Sequence, residues 1–415
     1  MRKTTETTKS RKVAPKPSLA QNVVGVIRNP IRSVINWFDN YALNQSTLFY
    51  RLVMLISLMI VVGLVMVLSA SNVVSIKATG DAFAEFRSQL LYAFLGFLAM
   101  IFISKRPVQV LRQFSIVFFA STVILQLLVL VPGIGVARGG NRNWLAIGGF
   151  TLQPSELLKL GMILAIATWV SPQLDRLWDW RSSVLPFVGF GFIPALLVLA
   201  LSNDLGTAAV MIVFILLLAV LVGLPWKFIG AFVGAGALVF LVAAISSPNR
   251  VSRLLSAFGL GGEGDDSDWQ QKHGEWALAS GGLFGTGLGD SKMKWGWIPE
   301  VENDFIFSVI GEEAGFVGAL VVLILFFILA RYLRKVSINS ATDFGSIAVT
   351  GIMLWITLQA FINIAVVLGL VPVIGVPLPL FSRGGSSMLA VLMALGVVLA
   401  VERDQARPKR SVRKK

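Results

Sequence analysis

An all-α polytopic membrane protein of about ten spanning helices is the fold class the sequence predicts, on three observations. Of 415 residues, 55% are hydrophobic and 14% charged, with a mean hydropathy of +0.77, which excludes a disordered chain and an ordinary soluble domain. Apolar stretches of bilayer-spanning length recur along the chain. These stretches lack the period-two alternation of barrel strands, so helices must satisfy their backbone polar groups in lipid.

In chain order, residues 1–49 are polar and basic, with Lys3, Lys9, Arg11, Lys12 and Lys16 among Thr, Ser and Pro. They predict a disordered cytoplasmic tail rather than a cleavable signal peptide. The spans are expected near 52–70, 88–104, 115–132, 155–171, 185–201, 206–223, 226–246, 305–330, 345–371 and 385–401. Together they define a membrane domain over 50–401, followed by a second basic tail, 402–415.

An even span count puts both termini on one side. With that side inside, cytoplasmic segments hold 25 of the 36 Lys and Arg and outer segments hold ten. Twelve of the 22 acidic residues fall outside. Both termini are therefore expected in the cytoplasm and the chemistry outside, and the basic excess reads as membrane anchoring rather than nucleic-acid binding. The longest connection, 247–304, is an outer loop between spans seven and eight. Its stretch 259–268 reads as a flexible acidic insert, whereas 269–304 carries Trp269, Trp276, Trp295 and Trp297 among glycines, a pattern suited to the membrane surface.

With no cysteine and one histidine, thiolate chemistry is excluded and a zinc site is not expected. Ionisable groups within spans are costly and mark candidate sites. In QPSELLK, Glu156 and Lys159 share a helix face at i, i+3. They form either an ion pair that locks helices or a site where the ammonium meets a phosphate. Asp204 in SNDLGT suits a helix cap. Glu312 and Glu313 lie two turns inside the eighth span and must face protein or water, about 12 Å along the helix from Asp304. Asp304, in IPEVENDFIF, sits at the bilayer rim beside Glu300, Glu302 and Asn303, where it serves either as a general base or as another cap.

The glycines of ASGGLFGTGLG follow no strand, so a dinucleotide fingerprint is rejected in favour of close backbone approach or a re-entrant turn. FSRGGSS offers Arg383 and free N–H groups to an anion at a helix start. Arg138 and Arg142 add outer cations beside Trp144, and His273 reads as an ordinary loop histidine.

Taken in order, GGNRNWL, LQPSELLKL, NDLGT, the WQ…ASGGLFGTGLG segment, IPEVENDFIFSVIGEEAGFVG and LQAFINIAVVLGLVPVIGVPLPLFSRGGSS resemble the SEDS family of bacterial shape, elongation, division and sporulation proteins over residues 50–401. The resemblance is greater to the division branch than to the elongation branch, and the tails and acidic insert look like actinobacterial members. It implies a peptidoglycan glycosyltransferase that polymerises lipid II outside the cytoplasmic membrane, at the division septum. It also implies a class B penicillin-binding protein as crosslinking partner, beside other division membrane proteins.

The family's essential aspartate matches Asp304. The same resemblance carries over Arg142, Glu156, Lys159, Asp204, Gln270, Gln359, Asn363, Ser382 and Ser386 as cavity residues, and Arg383 joins them as a candidate. The chain departs from the family pattern at Arg383, where Tyr or Ala is common, and at Asn143, where a second Arg is frequent. No cofactor is required by the sequence, although a divalent cation, Mg or Mn, is compatible with the outer carboxylates. The rival readings are a lipid II flippase, to which intramembrane Glu and Lys are equally suited, an elongation-type polymerase, and a non-catalytic division scaffold.

Overall fold

The computed structural model describes residues 45–138, 141–148, 150–245 and 266–405, and from Thr47 onward they belong to one compact unit. Residues 1–44 of the tail expected over 1–49, most of the acidic insert and the end of the chain from 406 lie outside the described residues.

The expected spans are all helical. They are α1 (Thr47–Thr79), α2 (Ala84–Ser104), α3 (Val108–Leu128), α4 (Pro154–Val170), α5 (Trp180–Phe187) continued by a π turn into α6 (Ile193–Ser202), α7 (Leu205–Val222) and α8 (Trp226–Ile245). After the long loop, whose own helix is α9 (Asp266–Ser280), come α10 (Ile306–Ile338), α11 (Asp343–Val367) and α12 (Gly385–Gln405). Among the described residues nine of these runs are long and apolar enough to cross a membrane, and α8 supplies a shorter apolar stretch, Trp226–Val239. The protein is a polytopic, mainly helical membrane protein, as expected.

α12 is apolar all round and its spanning stretch is mostly buried, so it forms the centre of the bundle. It packs against α2 through small residues. A Cβ on Gly396 would lie 2.8 Å from the Met100 carbonyl, and one on Gly96 would lie 2.7 Å from Leu392. Without a hydrophobic driving force in lipid, such close backbone approach is what holds helices together.

Two features were not anticipated from sequence. The connection before α4 forms a three-stranded antiparallel sheet: β1 (Gly135–Arg138), β2 (Asn141–Ile147) and β3 (Phe150–Leu152). Its strands are so short that their alternation is lost among the flanking glycines. The second feature is α10, which breaks at Gly315 (φ 69°, ψ −169°).

The broken turn is repaired by the glycine-rich loop, which enters beside it. Thr286 and Gly287 donate to the carbonyls of Glu312 and Glu313 at 2.9 and 3.1 Å, while Phe316 and Val317 donate to Gly282 and Leu283 at 2.9 and 3.2 Å. This pairing satisfies the backbone groups that the break frees. Only glycine fits: a Cβ on Gly281 would lie 2.0 Å from the Gly311 carbonyl, and Gly285 (φ +83°) would meet Glu313 O at 2.1 Å. Of the two readings of ASGGLFGTGLG, the close backbone approach is present.

Buried Glu312 and Glu313 complete the attachment. Glu312 accepts from Ser291 Oγ at 2.5 Å and from the Lys292 N–H at 2.9 Å. Glu313 accepts from Ser69 Oγ on α1 at 2.6 Å and pairs with Lys294 at 3.5 Å. The carboxylates therefore face protein and fasten the returning limb of the loop, which then leads to Asp304.

The candidate active site

A cavity of about 460 Å³ opens where the starts of α2, α7 and α12 meet the long loop. Of the eleven candidate site residues, four line it, Asp204, Gln270, Asp304 and Arg383, together with Asn143, Trp144, Glu300 and Asn303.

Asp304 ends the loop one residue before Phe305, the residue at the cap position of α10. Its backbone is fixed from two sides. Asn363 on α11 donates to the Asp304 carbonyl at 2.7 Å and to Val376 O at 2.8 Å. Ser382 Oγ donates to Asn303 O at 2.5 Å while accepting from Leu378 N at 2.8 Å. Nearby Glu300 (φ 52°) and Leu380 (φ 66°) hold left-handed backbone that disfavours side chains. A Cβ on Gly375 would stand 3.4 Å from Asp304 Oδ2, so the wall opposite the carboxylate is bare backbone.

Asp204 caps α7, accepting from Thr207 N at 2.9 Å and Thr207 Oγ1 at 2.8 Å. The cap expected from sequence is present, and the same carboxylate faces the cavity, where Asn143 on β2 donates to it at 2.5 Å. Arg142 lies on the same strand, partly buried, but is not among the cavity-lining residues.

Behind the lining stands a buried polar layer. Lys159 Nζ donates to Glu156 Oε1 and to Gln359 Oε1, both at 2.8 Å, and Trp355 Nε1 donates to the same Gln359 oxygen at 2.8 Å. Gln359 Nε2 in turn donates to Pro377 O at 3.0 Å, tying α4 and α11 to the Pro-rich segment beside Asp304. Both members of the ion pair are about 1% exposed and neither lines the cavity. Of the two readings open for Glu156 and Lys159, the geometry matches the helix-locking pair. Ser386 accepts from Gln153 N at 2.8 Å and so holds the start of α4 against α12.

Arg383 is held by two carboxylates. Its Nη2 meets Glu85 at 2.6 Å and its Nη1 meets Glu302 at 2.8 Å, and its backbone N–H donates to Glu302 O at 2.9 Å. Burial pushes the Glu302 carboxyl above its usual range, and Arg383 draws it partly back.

Sequence reasoning passed over Glu85, Gln89 and Tyr92 as site residues, although all three line the cavity. Their spacing of four and three residues puts them on one face of α2, a polar stripe at the head of an apolar helix that was readable in EFRSQLLY. Gln89 Nε2 donates to Ser382 O at 3.2 Å and Tyr92 OH to Thr151 O at 2.8 Å. His273 is no ordinary loop histidine: it is buried on α9, 4.0 Å from the Trp269 ring and stacked with Trp297.

Residues 50–407 match the profile of a family of cell cycle proteins comprising FtsW, RodA and SpoVE. The chain belongs to this family. It is the SEDS family that the motifs resemble. Among relatives, stage V sporulation protein E of Bacillus subtilis is 37% identical over 355 residues, covering 85% of this chain and 96% of that protein. The probable peptidoglycan glycosyltransferase FtsW of Mycobacterium tuberculosis is 35% identical over 359 residues, 86% and 68% of the two chains.

Among solved structures, a chain of a peptidoglycan synthase complex, described as coordinating polymerization and crosslinking, superposes with a TM-score of 0.69 at 28% identity. That match covers 86% of this chain and 98% of the other. RodA of Thermus thermophilus gives 0.64 at 27% identity over 89% and 100%.

Proposed function

We propose that this SEDS protein is a peptidoglycan glycosyltransferase that polymerises lipid II on the outer face of the bacterial cytoplasmic membrane during septal synthesis. The observation that carries the reading is the polar cavity at one end of the bundle, into which Asp304 faces from a backbone clamped by Asn363 and Ser382. Relatives named as probable peptidoglycan glycosyltransferases support the reaction class. The charge asymmetry supports an outward cavity with both termini inside.

In this mechanism Asp304 takes the proton of the acceptor sugar hydroxyl as that oxygen bonds the donor's anomeric carbon. The bond from that carbon to the lipid diphosphate breaks, and the diphosphate leaves with its electron pair. A positioned base contributes on the order of 10² to 10⁴ in rate. Asn363, Ser382 and Gln359 act on the backbone around Asp304 rather than on substrate. No group of three or more His, Asp or Glu among the described residues is placed to hold a Mg or Mn ion. A class B penicillin-binding protein is the partner that would crosslink the glycan, and the likeness to a synthase complex supports it.

Reconstitution of the purified chain with its partner in liposomes containing lipid II tests the reading. A glycan ladder is expected. Transfer of lipid II between leaflets with no polymer would replace it with the flippase reading.

A further inference from the structure

Arg383 is the one cation among the described side chains that line the cavity, whose lining also includes Glu85, Asp204, Glu300 and Asp304. A donor that leaves as a lipid diphosphate brings two or more further negative charges into this acidic space, and Lys159 is sealed behind it with Glu156 and Gln359. The guanidinium offers the planar fork that suits phosphate oxygens. It precedes Gly384 and Gly385 at the start of α12, where a Cβ on Gly385 would strike the Tyr92 ring at 2.3 Å, so that stretch stays bare backbone.

The two carboxylates that hold Arg383 are not equivalent. The Glu302 side chain is 2% exposed and would be left as a buried, uncompensated group if abandoned, which is costly. The Glu85 side chain is 22% exposed at the head of α2 and regains water on release. Exchange at Nη2 is therefore the inexpensive one.

Building on the lipid-diphosphate donor reading, we propose that Arg383 is the diphosphate-binding cation of this cavity, and that Glu85 is a placeholder on its Nη2 that the donor displaces. Glu302 keeps Nη1 throughout, so the cation stays aimed and remains tied to the loop that ends in Asp304, two residues on.

The test is binding of undecaprenyl diphosphate, with undecaprenol as control, to the full chain in nanodiscs. Arg383→Gln should weaken diphosphate binding about tenfold or more while leaving undecaprenol binding in place, as expected for loss of a charge-assisted contact. Glu85→Gln should tighten diphosphate binding several-fold, because it frees Nη2 without touching the lipid groove. Arg383→Lys, which keeps the charge but not the fork, should fall between wild type and Arg383→Gln, and it decides the matter if Arg383→Gln fails to fold.

A latch that only holds the fold together predicts that Glu85→Gln weakens binding in step with Arg383→Gln, and that result overturns the proposal. A wild-type chain that prefers the diphosphate, with an Arg383→Gln chain that prefers it equally, sinks this proposal alone. A wild-type chain that binds undecaprenol as well as its diphosphate sinks the donor reading and this inference with it.

Discussion

The side-chain amide of Asn363, deep in α11, donates to the backbone carbonyl of Asp304 at 2.7 Å. One span thereby sets the position of a carboxylate that another element supplies. Because Asn363 also donates to Val376 O at 2.8 Å, it ties the end of the long loop to the segment between α11 and α12.

Asn363→Ala should therefore lower the polymerisation rate roughly 10²-fold, the cost of displacing a reacting group by about 1 Å, with donor affinity little changed. Single-turnover rates beside donor-binding curves check it. A fall in affinity with an unchanged rate would assign Asn363 to the substrate instead.

Lys159→Met should destabilise the chain by about 3 to 5 kcal/mol, since it strands Glu156 as an unpaired buried charge, and the added change Glu156→Gln should restore most of that loss. Thermal midpoints in detergent for the two single variants and the double variant measure the coupling. A double variant as unstable as Lys159→Met would contradict the pairing geometry.

Gly285→Ala should cost clearly more stability than Gly289→Ala. Both residues have positive φ, near +83° and +91°, so both pay about 1 kcal/mol or more for left-handed backbone, but only Gly285 abuts the Glu313 carbonyl. Equal losses in thermal midpoint would mean that the glycine-rich loop does not press against the break in α10.

The pH dependence of stability should carry a signature of Glu302. Its pKa is raised above 4.5 by burial, so the folded chain holds that proton more tightly than the unfolded chain does. The stabilisation is complete below the unfolded value and is lost as pH rises through the folded one. Melting curves across the acidic range should show wild type losing ground to Glu302→Gln as pH increases. Parallel curves would contradict it.

How much of this was legible in sequence follows the range of the interactions. The spans were readable because each is a local run whose length the bilayer dictates. The pairing of Glu156 with Lys159 was readable from i, i+3 spacing, but whether it opened on the cavity depended on Gln359, 200 residues away. The close approach of the glycine-rich loop was suggested by its glycines, whereas the break at Gly315 that receives it was hidden because Gly315 is one of three glycines in GEEAGFVG, nothing in which singles it out from Gly311 or Gly318. Likewise Arg383 read as a free cation at a helix start, because its partners Glu85 and Glu302 lie on a distant helix and loop.

Sidedness rests on charge counting, and the cysteine-free chain lends itself to a direct check. A cysteine at the exposed Asp290 should react with an impermeant maleimide added to intact cells, and one at Asn339 only after permeabilisation. The reverse pattern would turn the cavity toward the cytoplasm.

Asp304 as the base of a glycosyl transfer in this cavity is tested most directly by polymerisation of lipid II by purified Asp304→Asn beside wild type, each with its partner. Wild type should give a glycan ladder and Asp304→Asn a rate lowered by about 10² or more, with thermal stability and partner binding preserved. A ladder from Asp304→Asn formed at near wild-type rate would contradict it.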